Sequence, residues 1–219
     1  MPGYTVLWDL DGTLVDSSAL HAEAFVRVLG ERWQRDFDYS RFTGWRTEDV
    51  FAAFGFDERA VATLTRDKRA FVSRHIERIR PFASATATVA ELQRLGCEQV
   101  IVTGASRERA ATLLERFGWA TTMEIAVAAD TPVESKPSSA GYRYAMSVRR
   151  AELGRALVVE DSVATAENAG LDGFAAVFLV THGACGRRAT TGHEDISGVI
   201  RTDTLSSVVD WVTSRGAGL

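Results

Sequence analysis

Five short apolar runs punctuate the chain, each closed by polar or glycine residues: Tyr4 to Trp8, Gln99 to Val102, Ile125 to Ala129, Ala156 to Val159 and Phe174 to Leu179. Runs this short and this rich in β-favouring side chains predict buried strands. Between the later ones, apolar positions recur with helical spacing at Ala87 to Leu95 (closed by Gly96), Arg107 to Phe117 (closed by Gly118) and Ala140 to Val148. Strands alternating with helices predict an α/β fold, a Rossmann-like, doubly wound parallel sheet, because a parallel pair needs the crossover that a helix supplies. In such sheets ligands bind beyond the carboxyl ends of the strands, so chemistry is expected just after each apolar run.

One interval breaks the alternation. From Ser17 to Arg80 the chain is rich in Arg, Glu, Ala and Phe, shows no strand pattern and stops at Pro81; helices are expected at Ala19 to Leu29, Thr47 to Phe54 and Glu58 to Ile79. The expected organisation is therefore a core of residues 1–16 and 81–219 carrying an inserted all-helical cap, residues 17–80, as a lid over the site. A last helix is expected near Leu205 to Val212. The stretch after Val180, with His182, Cys185 and His193 at irregular spacing, reads as loop rather than metal site.

Composition narrows the classes. A chain of 219 residues, 46% hydrophobic, can bury a substantial core, and a formal net charge of -4 gives no basic footprint for a nucleic-acid backbone. Cys97 and Cys185 are too few for a disulfide framework. Met1-Pro2-Gly3-Tyr4 carries no positive charge, and no apolar stretch is long enough to span a bilayer. The expectation is a cytoplasmic protein without nucleic-acid or membrane partners.

Four features stand at the expected strand ends. Asp9 and Asp11 follow the first strand; two carboxylates held close repel, and Mg2+, a hard cation with a preference for oxygen, resolves that, although an Asp-x-Asp alone is also an ordinary acidic turn. Thr103-Gly104-Ala105-Ser106 combines a hydroxyl, a glycine and a helix N-terminus, either a phosphate cradle or a plain strand-to-helix turn capped by Ser106. Lys136 could neutralise phosphate or be a solvated lysine; Glu160-Asp161 could ligate Mg2+, with Ser162 capping the next helix. Taken jointly they converge on one site, and a cation, a carboxylate nucleophile, a hydroxyl and a fixed lysine are the parts that phosphoryl transfer requires.

Trp8-Asp9-Leu10-Asp11-Gly12-Thr13 resembles the first motif of the haloacid dehalogenase superfamily, Ile101-Val102-Thr103-Gly104-Ala105 its second, Lys136-Pro137 its third and Val158-Val159-Glu160-Asp161-Ser162 its fourth, in the family's order. The resemblance implies a phosphatase in which Asp9 attacks phosphorus, Asp11 protonates the leaving group and then activates water, and Thr103, Gly104, Ala105 and Lys136 hold the phosphoryl oxygens. It implies Mg2+ on Asp9, the Asp11 backbone carbonyl, Asp161 and Glu160, and a cap of the β-phosphoglucomutase and phosphoglycolate phosphatase type. The substrate would be a small phosphorylated metabolite, such as a sugar phosphate, phosphoglycolate or a nucleotide monophosphate, and the enzyme a monomer. Two stretches depart from the family: Ser138-Ser139-Ala140 after the lysine, and Ala83-Ser84-Ala85 at the second hinge.

A phosphomutase is the alternative, but Gly44-Trp45-Arg46-Thr47-Glu48-Asp49-Val50-Phe51 keeps only the glycine of the mutase cap pattern in place. A phosphate-accepting signalling module would use similar groups without so large an insertion after its first strand. His21 on the first cap helix, and Trp45 and Arg46 at the start of the next, are candidate substrate contacts, with surface or cap-core positions as their ordinary alternatives.

Overall fold

The computed structural model describes residues 3–30, 37–181 and 198–216. Six strands form one sheet: β1 (Thr5–Trp8), β4 (Glu98–Val102), β5 (Met123–Val127), β6 (Ala156–Glu160), β7 (Ala176–Val180) and β8 (Val199–Thr202), in the order β5-β4-β1-β6-β7-β8. Every pairing within it is parallel. The five expected strands are all present, shifted by a residue or two, and the architecture is the expected Rossmann-like α/β core. The sixth, β8, was not anticipated. It is an edge strand with exposed Ile200 and Arg201, so it lacks the unbroken apolar run that marks β1, β6 and β7, which are buried along their whole lengths.

The pleat sorts each strand's residues onto two faces. Val6 and Trp8 of β1, Ile101 of β4, Leu157 and Val159 of β6, and Phe178 and Val180 of β7 pack against α4 (Ala85–Arg94), α5 (Arg107–Arg116) and α8 (Ser206–Gly216). The intervening Leu7, Val100, Val102, Val158, Val177 and Leu179 pack against α6 (Ala140–Val148) and α7 (Val163–Gly170). Helices thus cover both faces, which is why the central strands are apolar on both sides.

Between β1 and β4 the chain forms α1 (Ser18–Leu29), α2 (Thr47–Ala53) and α3 (Glu58–Arg74), entered through β2 (Val15–Asp16) and left through β3 (Arg80–Pro81). β2 and β3 pair antiparallel, Val15 with Pro81 and Asp16 with Arg80. The helices share an aromatic cluster: Phe25 and Phe51 at its centre, ringed by Phe37, Tyr39, Phe42, Trp45, Phe54 and Phe56. Leu20 and Ala24 of α1 and Phe71 and Val72 of α3 belong instead to the cluster under the sheet. The helix expected to run to Ile79 ends at Arg74, where the His75 ring lies 2.9 Å from the Phe71 carbonyl, and a short 3-10 turn, Ile76–Arg78, follows. Ring capping of that carbonyl competes with continuation of the helix.

Candidate active site

β1 lies between β4 and β6; the chain leaves β1 toward β4 and, after β5, returns to β6 on the other side. The carboxyl edge of the β1/β6 pair is therefore the switch point of the sheet, the place where α/β folds bind ligands. Asp9 follows β1 there, its N–H donating to the Val159 carbonyl at 3.0 Å, and Glu160 and Asp161 lie at the end of β6. The three carboxylates can bring oxygens within 4.8 Å of one another.

Lys136 reaches this cluster from the loop before α6 and bonds both Asp9 Oδ1 and Glu160 Oε1. Glu160, wholly buried, is saturated: Tyr142 O–H donates to Oε1 at 2.9 Å, and the backbone N–H groups of Asp161 and Ser162 donate to Oε2 at 3.0 Å each. By contrast, Asp9 Oδ2 and Asp161 Oδ1 are buried without any hydrogen-bond partner. Burial pushes the Asp9 carboxyl up to about 7 against the pull of Lys136, with Glu160 adding to the rise; burial followed by the charges of Asp9 and Glu160 drives Asp161 well above the usual carboxylate range. Lys136 is raised because Asp9 and Glu160 outweigh its own burial. Three acids facing one lysine, with two orphaned oxygens, form a donor set that fits a hard divalent cation such as Mg2+. Gly12 makes the arrangement possible: at φ +92°, a Cβ on it would sit 2.1 Å from Asp161 Oδ2.

Asp11 lines the same pocket, but its carboxylate is turned away from the acid cluster. Ser17 O–H donates to Oδ1 at 2.6 Å, the Arg109 guanidinium grips both oxygens (Nη1 to Oδ1 at 2.8 Å), and His21 Nε2 stands 3.4 Å from Oδ1. Although burial alone would raise it, Arg109 and His21 hold the Asp11 carboxyl well below its ordinary value. His21, pushed down to about 4 by burial and by neighbouring Lys68, is neutral at physiological pH. Its Nδ1 accepts a hydrogen bond from Lys68 Nζ at 2.9 Å, which leaves the ring hydrogen on Nε2, toward Asp11. Lys68 also donates to Thr47 Oγ1 at 3.1 Å and lies 4.3 Å from the centre of the Phe25 ring.

Thr103 follows β4 with its hydroxyl accepting from the Ala105 N–H at 3.1 Å, and Ser106 caps α5 by accepting from the Arg109 N–H. Gly104 is where the helical segment touches the sheet: a Cβ there would lie 2.8 Å from the Gly44 carbonyl oxygen. The structure thus places Asp9, Asp11, His21, Trp45, Thr103, Gly104 and Ala105 around one pocket, with Lys136, Glu160 and Asp161 beneath it. Trp45 is also packed edge-on against Phe42 at 5.6 Å. Arg46 lies beside that pocket: its guanidinium donates to the Thr131 carbonyl at 2.8 Å, and it lines an adjoining cavity with Thr103, Gly104 and Lys136. The arginine spans the seam between the helical segment and the loop after β5, a contact that sequence spacing cannot reveal.

Sequence reasoning missed Arg109 and Lys68. Arg109 sits three residues beyond the cap Ser106, one turn into α5, so it faces the strand ends as Ser106 does. Lys68 lies in the charged stretch Arg66-Asp67-Lys68-Arg69, but the buried positions Thr65, Lys68, Phe71 and Val72 share a 3.6-residue stripe.

A parallel α/β sheet with an acid cluster and a lysine at its switch point, under helices inserted after the first strand, defines an enzyme class whose carboxyl edge carries a donor set that fits a cation. The profile of the haloacid dehalogenase-like hydrolases matches residues 6–176, and the chain belongs to that family. It is similar to the pyrophosphatase PpaX of Bacillus cereus, 28% identical over 173 residues that cover 76% of this chain and 79% of that protein. It is also similar to a phosphoglycolate phosphatase of Caulobacter vibrioides, 27% identical over 192 residues, 82% of this chain and 81% of that one. Among solved structures, CbbY from Rhodobacter sphaeroides in complex with phosphate superimposes with a TM-score of 0.74 at 25% identity, covering 94% of this chain and 96% of that chain.

Proposed function

We propose that the protein is a Mg2+-dependent phosphatase that hydrolyses a small phosphorylated metabolite through an aspartyl-phosphate on Asp9, working in the cytoplasm as a monomer, with residues 17–80 as its cap. The observation that carries this reading is Asp9 itself: buried, one oxygen tied to Lys136 and the other without a partner beside a partnerless oxygen of Asp161. An oxygen so placed is free to attack phosphorus while the lysine fixes its carboxyl. Relatives named as a pyrophosphatase and a phosphoglycolate phosphatase, and a neighbour that binds phosphate, support the same chemistry.

In this reading an Asp9 oxygen bonds to phosphorus as the ester bond breaks; Asp11, ionised while Arg109 grips it, parts from that guanidinium and takes up a proton before giving it to the departing oxygen. Asp11 then takes a proton from water, whose oxygen displaces the Asp9 carboxylate and releases phosphate. Thr103, the backbone of Gly104 and Ala105, and Lys136 hold the phosphoryl oxygens. Mg2+, held by Asp9, the Asp11 carbonyl, Asp161 and, directly or through water, Glu160, would offset the charge of the phosphoryl group. His21, its ring hydrogen aimed at Asp11, orients the acid. The test is phosphate release from a panel of phosphorylated metabolites, with Mg2+ and with chelator, for the wild type beside Asp9→Asn. Release lost both in chelator and in the variant is the expected result; Mg2+-independent release that survives Asp9→Asn would refute the mechanism.

A further inference from the structure

Lys136 reaches the acid cluster from a loop, on a flexible four-carbon stem, and its place in the sequence does not decide which of the three carboxylates it faces. Glu160 makes that choice. Its Oε2 is held by the N–H groups of Asp161 and Ser162, and its Oε1 by the Tyr142 hydroxyl at 2.9 Å, so it offers the lysine an oxygen that is already fixed.

Tyr142 is itself held firmly. It lies in the first turn of α6, wholly buried, with its ring edge-on to Phe174 at 6.5 Å between centres. The preceding Gly141 is pressed against the sheet: a Cβ there would lie 3.2 Å from a methyl of Val102 and 3.4 Å from one of Val127. Burial first, and the charge of Glu160 next, raise the Tyr142 phenol well above its ordinary value, so it keeps its proton and acts as a donor. The Lys136 ammonium stands 5.2 Å from the centre of the same ring. One side chain thus meets the lysine with its face and the lysine's partner with its hydroxyl.

An ammonium carries three N–H groups. One goes to Asp9 Oδ1 and one to Glu160 Oε1, which leaves a single donor for a phosphoryl oxygen, and its direction is set once the other two are fixed. We propose that Tyr142 is a positioning residue for phosphoryl transfer: its hydroxyl fixes Glu160, Glu160 fixes Lys136, and the remaining lysine N–H is thereby aimed at the phosphoryl group. This inference rests on the phosphatase reading and extends its machinery by a residue that acts only through others. The partnerless oxygens that suit the cation belong to Asp9 and Asp161, and the Tyr142 hydroxyl bonds neither residue.

The test is Tyr142→Phe, which removes the hydroxyl and keeps the ring. Calorimetry measures Mg2+ binding to the free protein and inorganic phosphate binding to the Mg2+-loaded protein, thermal unfolding gives Tm, and acetyl phosphate serves as substrate for kcat/KM. Phosphate affinity and kcat/KM are each expected to fall by about tenfold, the low end of the loss when the partner behind a ligating group is removed. Mg2+ affinity should stay within about twofold and Tm within about 5 °C, since one buried hydrogen bond is lost and no cation-facing oxygen is touched. A phenol that served packing alone would lower Tm and Mg2+ affinity together with the rest. That joint loss, or a phosphate affinity and kcat/KM unchanged to within about twofold, would overturn the positioning role and leave the phosphatase reading intact. A wild type that releases no phosphate from acetyl phosphate or from any metabolite of the panel would overturn both.

Discussion

Replacing Asp9 by Asn should make the metal-free protein more stable at alkaline pH, even though it removes the proposed nucleophile. Asp9 is 2% exposed and shares its space with Glu160 and Asp161 against a single lysine. Its carboxyl is raised from 3.8 to about 7 by burial first, with Lys136 opposing and Glu160 reinforcing. An acid whose folded value lies above its unfolded one is more protonated in the native state. Its stabilising contribution is therefore complete below about pH 4 and is lost as pH rises through about 7. At ~1.36 kcal/mol per pH unit, the penalty above pH 7 is about 4 kcal/mol. For a domain of this size that corresponds to a Tm difference on the order of 10 °C. The assay is thermal unfolding in EDTA across pH 4–8 for the wild type and Asp9→Asn. The variant should exceed the wild type by several degrees at pH 8, with the gap closing toward pH 4. Saturating Mg2+ should raise the wild type's Tm and leave the variant's nearly unchanged, reversing the order. A variant less stable than the wild type at pH 8 in EDTA, or a difference independent of pH, would refute the reasoning.

Three further outcomes follow from particular contacts. Gly12→Ala puts a methyl 2.1 Å from Asp161 Oδ2 at a backbone φ of +92°, so calorimetric Mg2+ binding should weaken by at least tenfold; unaltered affinity would remove Asp161 from the cation site. Gly104→Ala sets a Cβ 2.8 Å from the Gly44 carbonyl oxygen, and should lower kcat/KM by an order of magnitude while Tm moves by only about 2 °C; an unchanged rate would show that turnover does not need this seam closed. His21, held down to about 4, should stay neutral from pH 5 to 8, and its NMR ring signals should titrate only below that window. Being depressed, it contributes stability that is complete above its unfolded value of 6.5 and is lost as pH falls through about 4. Lys68→Met should raise its titration only in part, because burial, the larger cause, remains.

Much of the fold was legible because the central strands advertise themselves: a strand covered by helices on both faces must be apolar along its whole length, as β1, β6 and β7 are. β8 was not, since an edge strand with Arg201 facing outward has no such run. The acid cluster was legible for a related reason, as each member directly follows an apolar run. Arg109 and Lys68 were not, because each sits in a charged helical stretch where only its helical phase, relative to Ser106 for one and to Phe71 and Val72 for the other, marks it as turned inward. Arg46 shows what spacing cannot give: its guanidinium donates to a backbone carbonyl of the loop after β5 while it lines a cavity with Thr103, Gly104 and Lys136.

The small β2–β3 ribbon has a bearing on how such a protein can change over generations. Val15 stands opposite Pro81 and Asp16 opposite Arg80, with the Phe82 N–H donating to the Leu14 carbonyl at 3.0 Å. The chain therefore departs from the sheet and rejoins it at a single doorway, and nearly everything from residue 17 to 79 is a detour whose ends are already tied. The entropy of closing a loop grows only with the logarithm of its length, so lengthening or recasting that detour disturbs strand register very little. Lys68 is on the detour, whereas Asp9, Lys136 and Asp161 are off it. The reacting edge is thus written on stretches outside the detour, and the detour, with His21, Trp45 and Lys68 on it, can be redrawn while that edge is inherited intact.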